Sequence, residues 1–373
     1  MENQQIRYHG LDALRGIAML LGIVLHAALP FMVGMPISIW PTDKHSSVAI
    51  NVIFEFIHIW RMPLFFILAG FFAKLVIERY SWNYWWKNRI KRIGLPLLIF
   101  TPIMGASIPW IWTYGWGKNS SYFFTLEGGP WHLWFLFHLI FFVFFSFICI
   151  SANSVLKRLR LAFIGYLLSY FNIFSWVAKF KIFQSQYPIP LIILLTLIGI
   201  WTGFDLIENP ILSALFFAFG YGLYINIKLL DFMKKYWLQY LIVSVFFFVI
   251  YLSIYKNIDF LDPSTWETWA IPYSLLKAVN AILFSYTFIG LAESKFGNYS
   301  PALRYISDSS YWIYLIHLPL VAFTTFYLFS FPILVELKFI IAILWTTSIG
   351  LITYKFLVRS SIVGILLNGK KIT

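Results

Sequence analysis

The sequence predicts an all-α, polytopic membrane protein with about ten transmembrane helices and both termini in the cytoplasm. Of its 373 residues, 60% are hydrophobic and only 12% are charged, whereas a soluble surface needs about 25–35% charged side chains. Apolar segments of about 20 residues, the length that crosses the hydrocarbon core of a bilayer, recur along the chain. This composition excludes an ordinary soluble enzyme, a disordered chain and a disulfide scaffold.

Ten apolar segments are candidate membrane helices. The second contains Met62-Pro63, where the proline predicts a kink or a break, and the fifth is short. The apolar segment 161–187 has basic residues on both sides. We therefore expect it to lie on the cytoplasmic face or to form a re-entrant segment, with an eleventh span as the alternative. The ten candidates are residues 11–33, 48–77, 94–114, 131–152, 188–204, 209–227, 236–255, 270–292, 307–330 and 336–358.

The loop charges orient these helices. With the N-terminus inside, the outer loops carry only Lys44, Lys118 and Lys256, and the other loop lysines and arginines face the cytoplasm, as the positive-inside rule requires. This topology accounts for the net charge of +13, so we expect membrane lipid and no nucleic acid among the partners. Because no internal repeat or linker is evident, we interpret residues 1–373 as a single membrane domain.

The first span carries Asp12, Arg15 and His26, although ionisable groups inside a membrane are costly and often functional. Arg15 and His26 are separated by about three helical turns, so they lie on one face about 16 Å apart. Asp12 lies one turn before Arg15 and can pair with it, which makes an interfacial ion pair the alternative to a functional site. For His26 the alternative is a hydrogen bond between helices.

The second span carries Glu55, His58 and Arg61. Arg61 is about 20 Å from the outer end of the helix. Because a guanidinium stays charged, Arg61 must face a polar cavity, a carboxylate or a bound anion. Glu55 on the same helix is the candidate for a purely structural partner.

A basic cluster follows the second span. Arg89 and Arg92 are three residues apart on a predicted short helix, with Lys91 beside them. Since paired arginines can chelate phosphate oxygens, this cluster is a candidate phosphate clamp for a cytoplasmic ligand. A positively charged anchor for lipid headgroups is the alternative.

Two later segments add further polar groups. His132 and Trp134 lie at the outer edge of the fourth span, and Tyr314 and His317 share one face of the ninth. The alternative role of these four side chains is structural hydrogen bonding between helices. We interpret His138 as a packing residue. The histidines are too dispersed in sequence to argue a metal site, and the single cysteine excludes a thiolate cluster. We therefore expect no metal.

Four segments together resemble the acyltransferase 3 family of membrane O-acyltransferases. They are LDALRGIAMLLGIVLHA, which holds Arg15 and His26 at the R-x10-H spacing, HIWRMPLFFILAGFF, NRIKRIGLP and YLIHLP. Within the family the chain is most similar to the glucans biosynthesis protein C group, with which it shares HLWFL and a C-terminal ILLNGKK. It has Ala69-Gly70 where the family usually has Ser-Gly, which is a small departure.

The resemblance implies a multi-pass enzyme of the bacterial inner membrane. Such an enzyme takes an acyl group from cytoplasmic acyl-CoA and transfers it to a hydroxyl of an extracytoplasmic carbohydrate. In the glucan group the acyl is succinyl and the acceptor is a periplasmic glucan. Succinyl-CoA is therefore the expected donor substrate, and no permanently bound cofactor is expected.

The resemblance also implies roles for individual residues. His26 would be the catalytic histidine, Arg15 its motif partner and Arg61 an essential arginine. Arg89 and Arg92 would hold the CoA phosphates. The other candidates are Lys91 at the CoA site and, in supporting or substrate-binding roles, Asp12, Glu55, His58, His132, Trp134, Tyr314 and His317.

Two other functions are compatible with the sequence. One is O-acetylation of another cell-surface polysaccharide. The other is a non-enzymatic transporter or flippase for an anionic lipid or sugar, which buried Arg and His residues suit equally well, although the two halves show no inverted repeat. A covalent acyl intermediate on His26 and a homo-oligomeric assembly are both left open by the sequence.

Overall fold

The computed structural model describes residues 7–118, 124–127, 129–158, 185–203, 209–258 and 263–369. Within these ranges the regular secondary structure is helical, and none of the described residues lies in a strand. The α-helices are α1 (His9–Ala28), α2 (Val48–Arg79), α3 (Trp82–Arg89), α4 (Leu95–Gly115), α5 (Trp134–Arg158), α6 (Ile189–Thr202), α7 (Pro210–Ile225), α8 (Ile227–Tyr255), α9 (Pro263–Lys295), α10 (Pro301–Leu328), α11 (Val335–Thr353) and α12 (Ile362–Asn368).

Eight helical segments in the described part of the chain are long and apolar enough to cross a membrane. Two further apolar helices, α6 and α7, are shorter, with 14 and 16 residues. The prediction of an all-α, polytopic membrane protein is thus confirmed, while the total of ten spans and the cytoplasmic termini stay predictions. The eight segments are His9–Phe31, Val48–Arg79, Trp82–Gly115, Trp131–Ile148, Ile227–Tyr255, Ser264–Lys295, Pro301–Leu328 and Val335–Val358.

Several helices differ from the predicted spans in their bounds or their continuity. Of the kink or break predicted at Pro63, the break does not occur, since α2 continues through this residue. Neighbouring groups can re-satisfy the one backbone bond that a proline removes. Helix α3 ends at Arg89 and joins α4 through a π-helical turn, Ile90–Gly94. Helix α8 begins at Ile227 rather than at 236, with a kink at Tyr236 (φ −115°, ψ 19°). The segment 161–187, apart from residues 185–187, lies outside the described residues.

The chain divides into two compact units. The first unit comprises Met1–Leu14, Ile59–Lys87 and Phe141–Tyr299. The second unit comprises Arg15–His58, Asn88–Ile140 and Ser300–Thr373. The single domain over residues 1–373 stays a prediction.

In the first unit, two glycines bring α2 and α7 into backbone contact. A Cβ on Gly70 would collide with the carbonyl of Phe217, and a Cβ on Gly220 would collide with the carbonyl of Ile67. Small residues at such reciprocal positions let membrane helices approach closely. The Ala69-Gly70 sequence therefore has a packing role at its glycine.

In the second unit, α1 and α10 also approach closely. A Cβ on Gly16 would lie 2.8 Å from the Cα of Ser307. Arg15, the residue before this glycine, donates from Nη2 to the Ser307 hydroxyl at 3.5 Å. The close approach brings the C-terminal end of α1, where His26 lies, against α10. The apolar core around this contact includes Ile23, Phe31, Phe54, Val321, Phe339 and Ala342.

Candidate active site

Three histidines from distant parts of the sequence meet in the second unit. His26 lies in the last turn of α1, His132 in the 3-10 turn Trp131–Leu133 that precedes α5, and His317 in α10. The ring centroid of His317 lies 5.3 Å from that of His26 and 4.9 Å from that of His132, and the His26 and His132 centroids are 6.4 Å apart. We call these three residues the imidazole cluster. His132 and His317 are buried, and His26 is half-buried.

The backbone carbonyl of Tyr314 fixes two of these rings. It lies 3.1 Å from His132 Nε2 and 2.6 Å from His317 Nδ1. Because a carbonyl oxygen can only accept, both of these nitrogens must carry hydrogen. In the neutral rings, His132 Nδ1 and His317 Nε2 therefore keep their lone pairs. The Tyr314 hydroxyl completes the arrangement by donating to the carbonyl of His132 at 2.7 Å.

This arrangement suits proton transfer. A hydrogen bond from one ring nitrogen to a carbonyl sets the tautomer, and the other nitrogen is then ready to act as a base. Among the described residues, no group of three or more His, Cys, Asp or Glu side chains is arranged as a metal site. The imidazoles themselves offer acid–base or nucleophilic chemistry.

The backbone next to His132 is strained. Trp131 has a φ of +49°, in the left-handed region that non-glycine residues seldom adopt. Such strain persists only where the surrounding structure holds it, and it is concentrated at functional sites. The turn places His132 at the entrance to α5, in agreement with its predicted position at the edge of the fourth span.

His26 has an aromatic neighbour that the sequence did not indicate. The rings of His26 and Trp40 are nearly parallel, with 12° between their planes and 6.1 Å between their centroids. The Trp40 ring in turn lies edge-on to Trp112, at 4.5 Å. Arg15 and His26 both lie on α1, as predicted, and Arg15 is half-buried.

The candidates on α2 fall on both sides of the boundary between the units. Glu55 in the second unit is only 4% exposed. His58, also in the second unit, stacks on Phe54 with 5.0 Å between centroids. Arg61 belongs to the first unit, where it is half-buried and its Nη2 lies 3.6 Å from the Met62 sulfur. The structural pair of Glu55 with Arg61 stays a prediction.

Arg92 makes a contact that changes the interpretation of the basic cluster. Its Nε and Nη2 donate to the carbonyl of Leu367 at 3.0 and 2.6 Å, and its own carbonyl accepts from the Tyr311 hydroxyl at 2.6 Å. Arg92 therefore anchors the C-terminal helix α12, and it lies in the π-helical turn rather than on the predicted short helix. Arg89 is half-buried and Lys91 is exposed.

The remaining candidates have local contacts. In the first unit, an Asp12 carboxylate oxygen lies 3.9 Å from Arg7 Nε. In the second unit, Trp134 lies edge-on to His138 with 5.2 Å between centroids. The packing role of His138 stays a prediction.

Two buried lysines were missed by the sequence analysis. Lys338 on α11 forms an ion pair with Asp43 at 2.7 Å, and both side chains are 3% exposed. Lys277 on α9, in the first unit, is 2% exposed and donates to the hydroxyl of Tyr273 at 3.2 Å. Both lysines lie inside predicted apolar spans, so the cost of a charge inside the membrane could have revealed them.

Comparison with known proteins adds independent evidence. The family model described as "Acyltransferase domain" (acyltransferase 3) matches residues 8–355. Glucans biosynthesis protein C of Escherichia coli K12 is 34% identical over 99 residues, which are 26% of this chain and 25% of that protein. Its counterpart in Salmonella typhi is 33% identical over 99 residues, with the same coverage. The chain thus aligns with about a quarter of the length of these relatives. No solved structure matches the chain.

Proposed function

The chain belongs to the acyltransferase 3 family of membrane acyltransferases, and we propose that it transfers an acyl group from cytoplasmic acyl-CoA to a hydroxyl of an extracytoplasmic carbohydrate. The proposed donor is succinyl-CoA, and the proposed acceptor is a periplasmic glucan. The glucan is supported by the name of the relatives, glucans biosynthesis protein C. The proposed location is the bacterial inner membrane, and the multi-pass helical fold supports a membrane location.

The single observation that carries this proposal is the imidazole cluster. His26, at the R-x10-H spacing of the resemblance, lies against His317, whose Nε2 keeps a lone pair in the neutral ring. Transfer to an alcohol needs a base for the hydroxyl proton or a nucleophile that carries the acyl group. An imidazole can do either at neutral pH. We assign this chemistry to His26, with His317 as the acceptor of its proton.

The bonds and protons of the reaction balance without a further reactant. The acceptor hydroxyl oxygen forms a bond to the thioester carbonyl carbon as the carbon–sulfur bond breaks. The hydroxyl proton passes to the imidazole cluster, and from there to the departing CoA thiolate. If His26 carries the acyl group first, its nitrogen attacks the thioester, and the hydroxyl then attacks the acyl-imidazole with the same overall balance.

The arginines supply positive charge. The thioester oxygen becomes negative as the carbonyl is attacked, and a fixed cation stabilises that charge. On the resemblance alone, we propose Arg61 for this role and Arg15 as the motif partner of His26. The proposed role of Arg15 is supported by its hydrogen bond to Ser307, which holds the guanidinium against α10. Asp12, Glu55, His58 and Trp134 are proposed as supporting residues only.

The basic cluster is the proposed binding site for the CoA phosphates. We assign phosphate binding to Arg89, Lys91 and Arg92, and two nitrogens of Arg92 also donate to the Leu367 carbonyl. Arg92 then links this site to α12. The predicted topology puts this cluster in the cytoplasm, where CoA is found.

The test uses the purified protein in lipid nanodiscs with succinyl-CoA and a glucan oligosaccharide. We expect release of CoA thiol together with a glucan whose mass has increased by one succinyl group. His26→Ala should abolish both signals, whereas the matched control His138→Ala should retain them. Acetylation from acetyl-CoA in place of succinylation would change the donor in the proposal. Movement of a solute without consumption of acyl-CoA would contradict it in favour of a transporter.

A further inference from the structure

The segment that follows α1 is held firmly in the second unit. We call residues 36–43 the strap. The indole of Trp116 donates to the carbonyl of Ile37 at 2.8 Å, and that of Trp112 donates to Ile39 at 3.3 Å. Within the strap, the amide of Trp40 donates to the carbonyl of Pro36 at 3.1 Å. The two indole hydrogen bonds therefore fasten the strap at Ile37 and Ile39 to α4 and to Trp116, the residue that follows α4.

A buried ion pair fastens the end of the strap. Asp43 Oδ2 lies 2.7 Å from Lys338 Nζ on α11, and each side chain is only 3% exposed. The amide of Asp43 also donates to the carbonyl of Pro30 at 2.9 Å, and Lys338 donates to the carbonyl of Phe329 at 3.5 Å. Removal of one partner of a buried ion pair leaves an uncompensated buried charge, which is costly. The pair therefore joins the end of the strap to α11.

Trp40 lies between these fastenings. Its ring is nearly parallel to that of His26 and meets the edge of Trp112, the same residue that holds Ile39. It also packs on the apolar cluster of Ile111, Ala322 and Phe326. Trp40 thus touches the proposed catalytic histidine on one side and is fixed by helices α4 and α10 on the others.

We infer that the strap is a positioning element for the reaction, in which the Asp43–Lys338 pair holds Trp40 against His26 and so fixes the plane of the His26 imidazole. This inference rests on the proposed function in one respect, that His26 reacts. Small displacements of a reacting group lower rates strongly, by about 10²-fold for 1 Å. Trp40, Asp43 and Lys338 are positioning residues, since each acts through His26 or through the strap and none is assigned a contact with substrate.

Kinetics separate positioning from a merely structural role. In nanodiscs, Trp40→Leu should lower kcat by about 10–100-fold while the KM for acyl-CoA stays within about twofold. Trp40→Phe, which keeps a ring against His26, should recover most of the activity. The matched control is Trp110→Leu, since Trp110 also lies on the second unit but stacks on Phe323. A wild-type kcat in Trp40→Leu, or an equal loss in the control, overturns the inference.

The Asp43–Lys338 ion pair should act on His26 through the Trp40 ring. Lys338→Met should also lower kcat, and the double variant with Trp40→Leu should be no slower than the slower single variant, because residues that act through one contact are not additive. Multiplicative losses in the double variant would contradict a shared route. If Lys338→Met fails to fold, Asp43→Leu/Lys338→Met removes both charges together and leaves no unpaired buried charge.

A chemical probe separates this inference from the proposed function. Diethyl pyrocarbonate modifies neutral imidazoles, and peptide mass spectrometry reports the modification rate of each histidine. We expect His26 to react faster in Trp40→Phe and Trp40→Leu than in the wild type, with His138 unchanged as the internal reference. This result would support the strap even if no acyl transfer were found. An unchanged rate at His26 in both variants would overturn the inference even if the enzyme proved to be an acyltransferase.

Discussion

His132 and His138 show how two buried histidines of one unit can differ. Their exposures are nearly equal, 7% and 8%. His132 bonds to the Tyr314 carbonyl and meets the rings of His26 and His317, which come from other helices. His138 packs edge-on against Trp134, one turn earlier on its own helix. Burial therefore does not distinguish the two residues, and it is the convergence of titratable groups from distant segments that makes His132 a candidate for function.

The largest expected effect comes from breaking the imidazole cluster. His26→Ala and His317→Ala should each lower kcat by about 10²–10⁴-fold, because each removes a group that takes part in proton transfer. The double variant should be little worse than either single variant, since groups that act as a unit are not additive. Thiol release from acyl-CoA measures all three. A double variant whose loss equals the product of the single losses would show that the two histidines act independently.

The next effect is a loss of rate in acid. A base needs a neutral imidazole. We therefore expect kcat to fall in acid, by up to about tenfold per pH unit, once the cluster is protonated. His138→Gln should leave this profile unchanged. A rate that does not change between pH 5 and pH 8 would argue against proton transfer by the cluster.

Changes in the basic cluster should affect donor binding by a smaller factor. Arg89→Ala should raise the KM for acyl-CoA by about tenfold, and the effect should shrink at high salt because phosphate contacts are screened. Arg92→Ala should in addition lower the melting temperature, because it removes the hydrogen bonds to the Leu367 carbonyl. Donor titrations and melting curves at two salt concentrations distinguish the two variants. If Arg92→Ala melted at the same temperature as the wild type, Arg92 would not anchor α12.

Tyr314→Phe should have a modest effect. It removes the hydroxyl that donates to the His132 carbonyl but keeps the backbone carbonyl that fixes both rings. Loss of one neutral hydrogen bond corresponds to about 1 kcal/mol, or about fivefold in rate if the whole cost appears in the transition state. The same thiol assay measures it. A loss as large as that of His317→Ala would mean that the tyrosine hydroxyl itself takes part in the chemistry.

The smallest effect is expected at His138. His138→Ala should leave kcat and the donor KM within about twofold, because its neighbour Trp134 is held by the same helix, and should lower stability slightly through lost packing. Activity together with thermal unfolding checks both points. If His138→Ala lost as much kcat as His26→Ala or His317→Ala, the contrast between His138 and the imidazole cluster would be wrong.

The kind of fold could be predicted from sequence because apolar segments in a bilayer must satisfy their own backbone hydrogen bonds, which only helices and closed barrels can do. Details that depend on packing could not be predicted from the sequence. Helix α2 continues through Pro63, and a π-helical turn follows Arg89, and neither feature is what local propensity predicts. Lys277 and Lys338 were visible as charges in apolar spans, and the same rule that drew attention to Arg61 applies to them.

Some residues of the candidate site could be proposed from the sequence. His26, His132, Tyr314 and His317 were all candidates, but nothing in their spacing placed them together. Their meeting depends on the close approach of α1 and α10 at Gly16. The group that orients two of the rings is a backbone carbonyl, which no side-chain pattern can show. Trp40 lies in a loop, where periodicity gives no information about contacts.

The most direct test of the central claim, that the imidazole cluster moves the proton in acyl transfer, is single-turnover thiol release from acyl-CoA by His317→Asn beside His138→Asn. An asparagine amide can still donate to the Tyr314 carbonyl but has no basic lone pair. We predict that His317→Asn loses about 10²–10⁴-fold in rate while His138→Asn does not. A His317→Asn protein that is folded and as fast as the wild type would contradict the account.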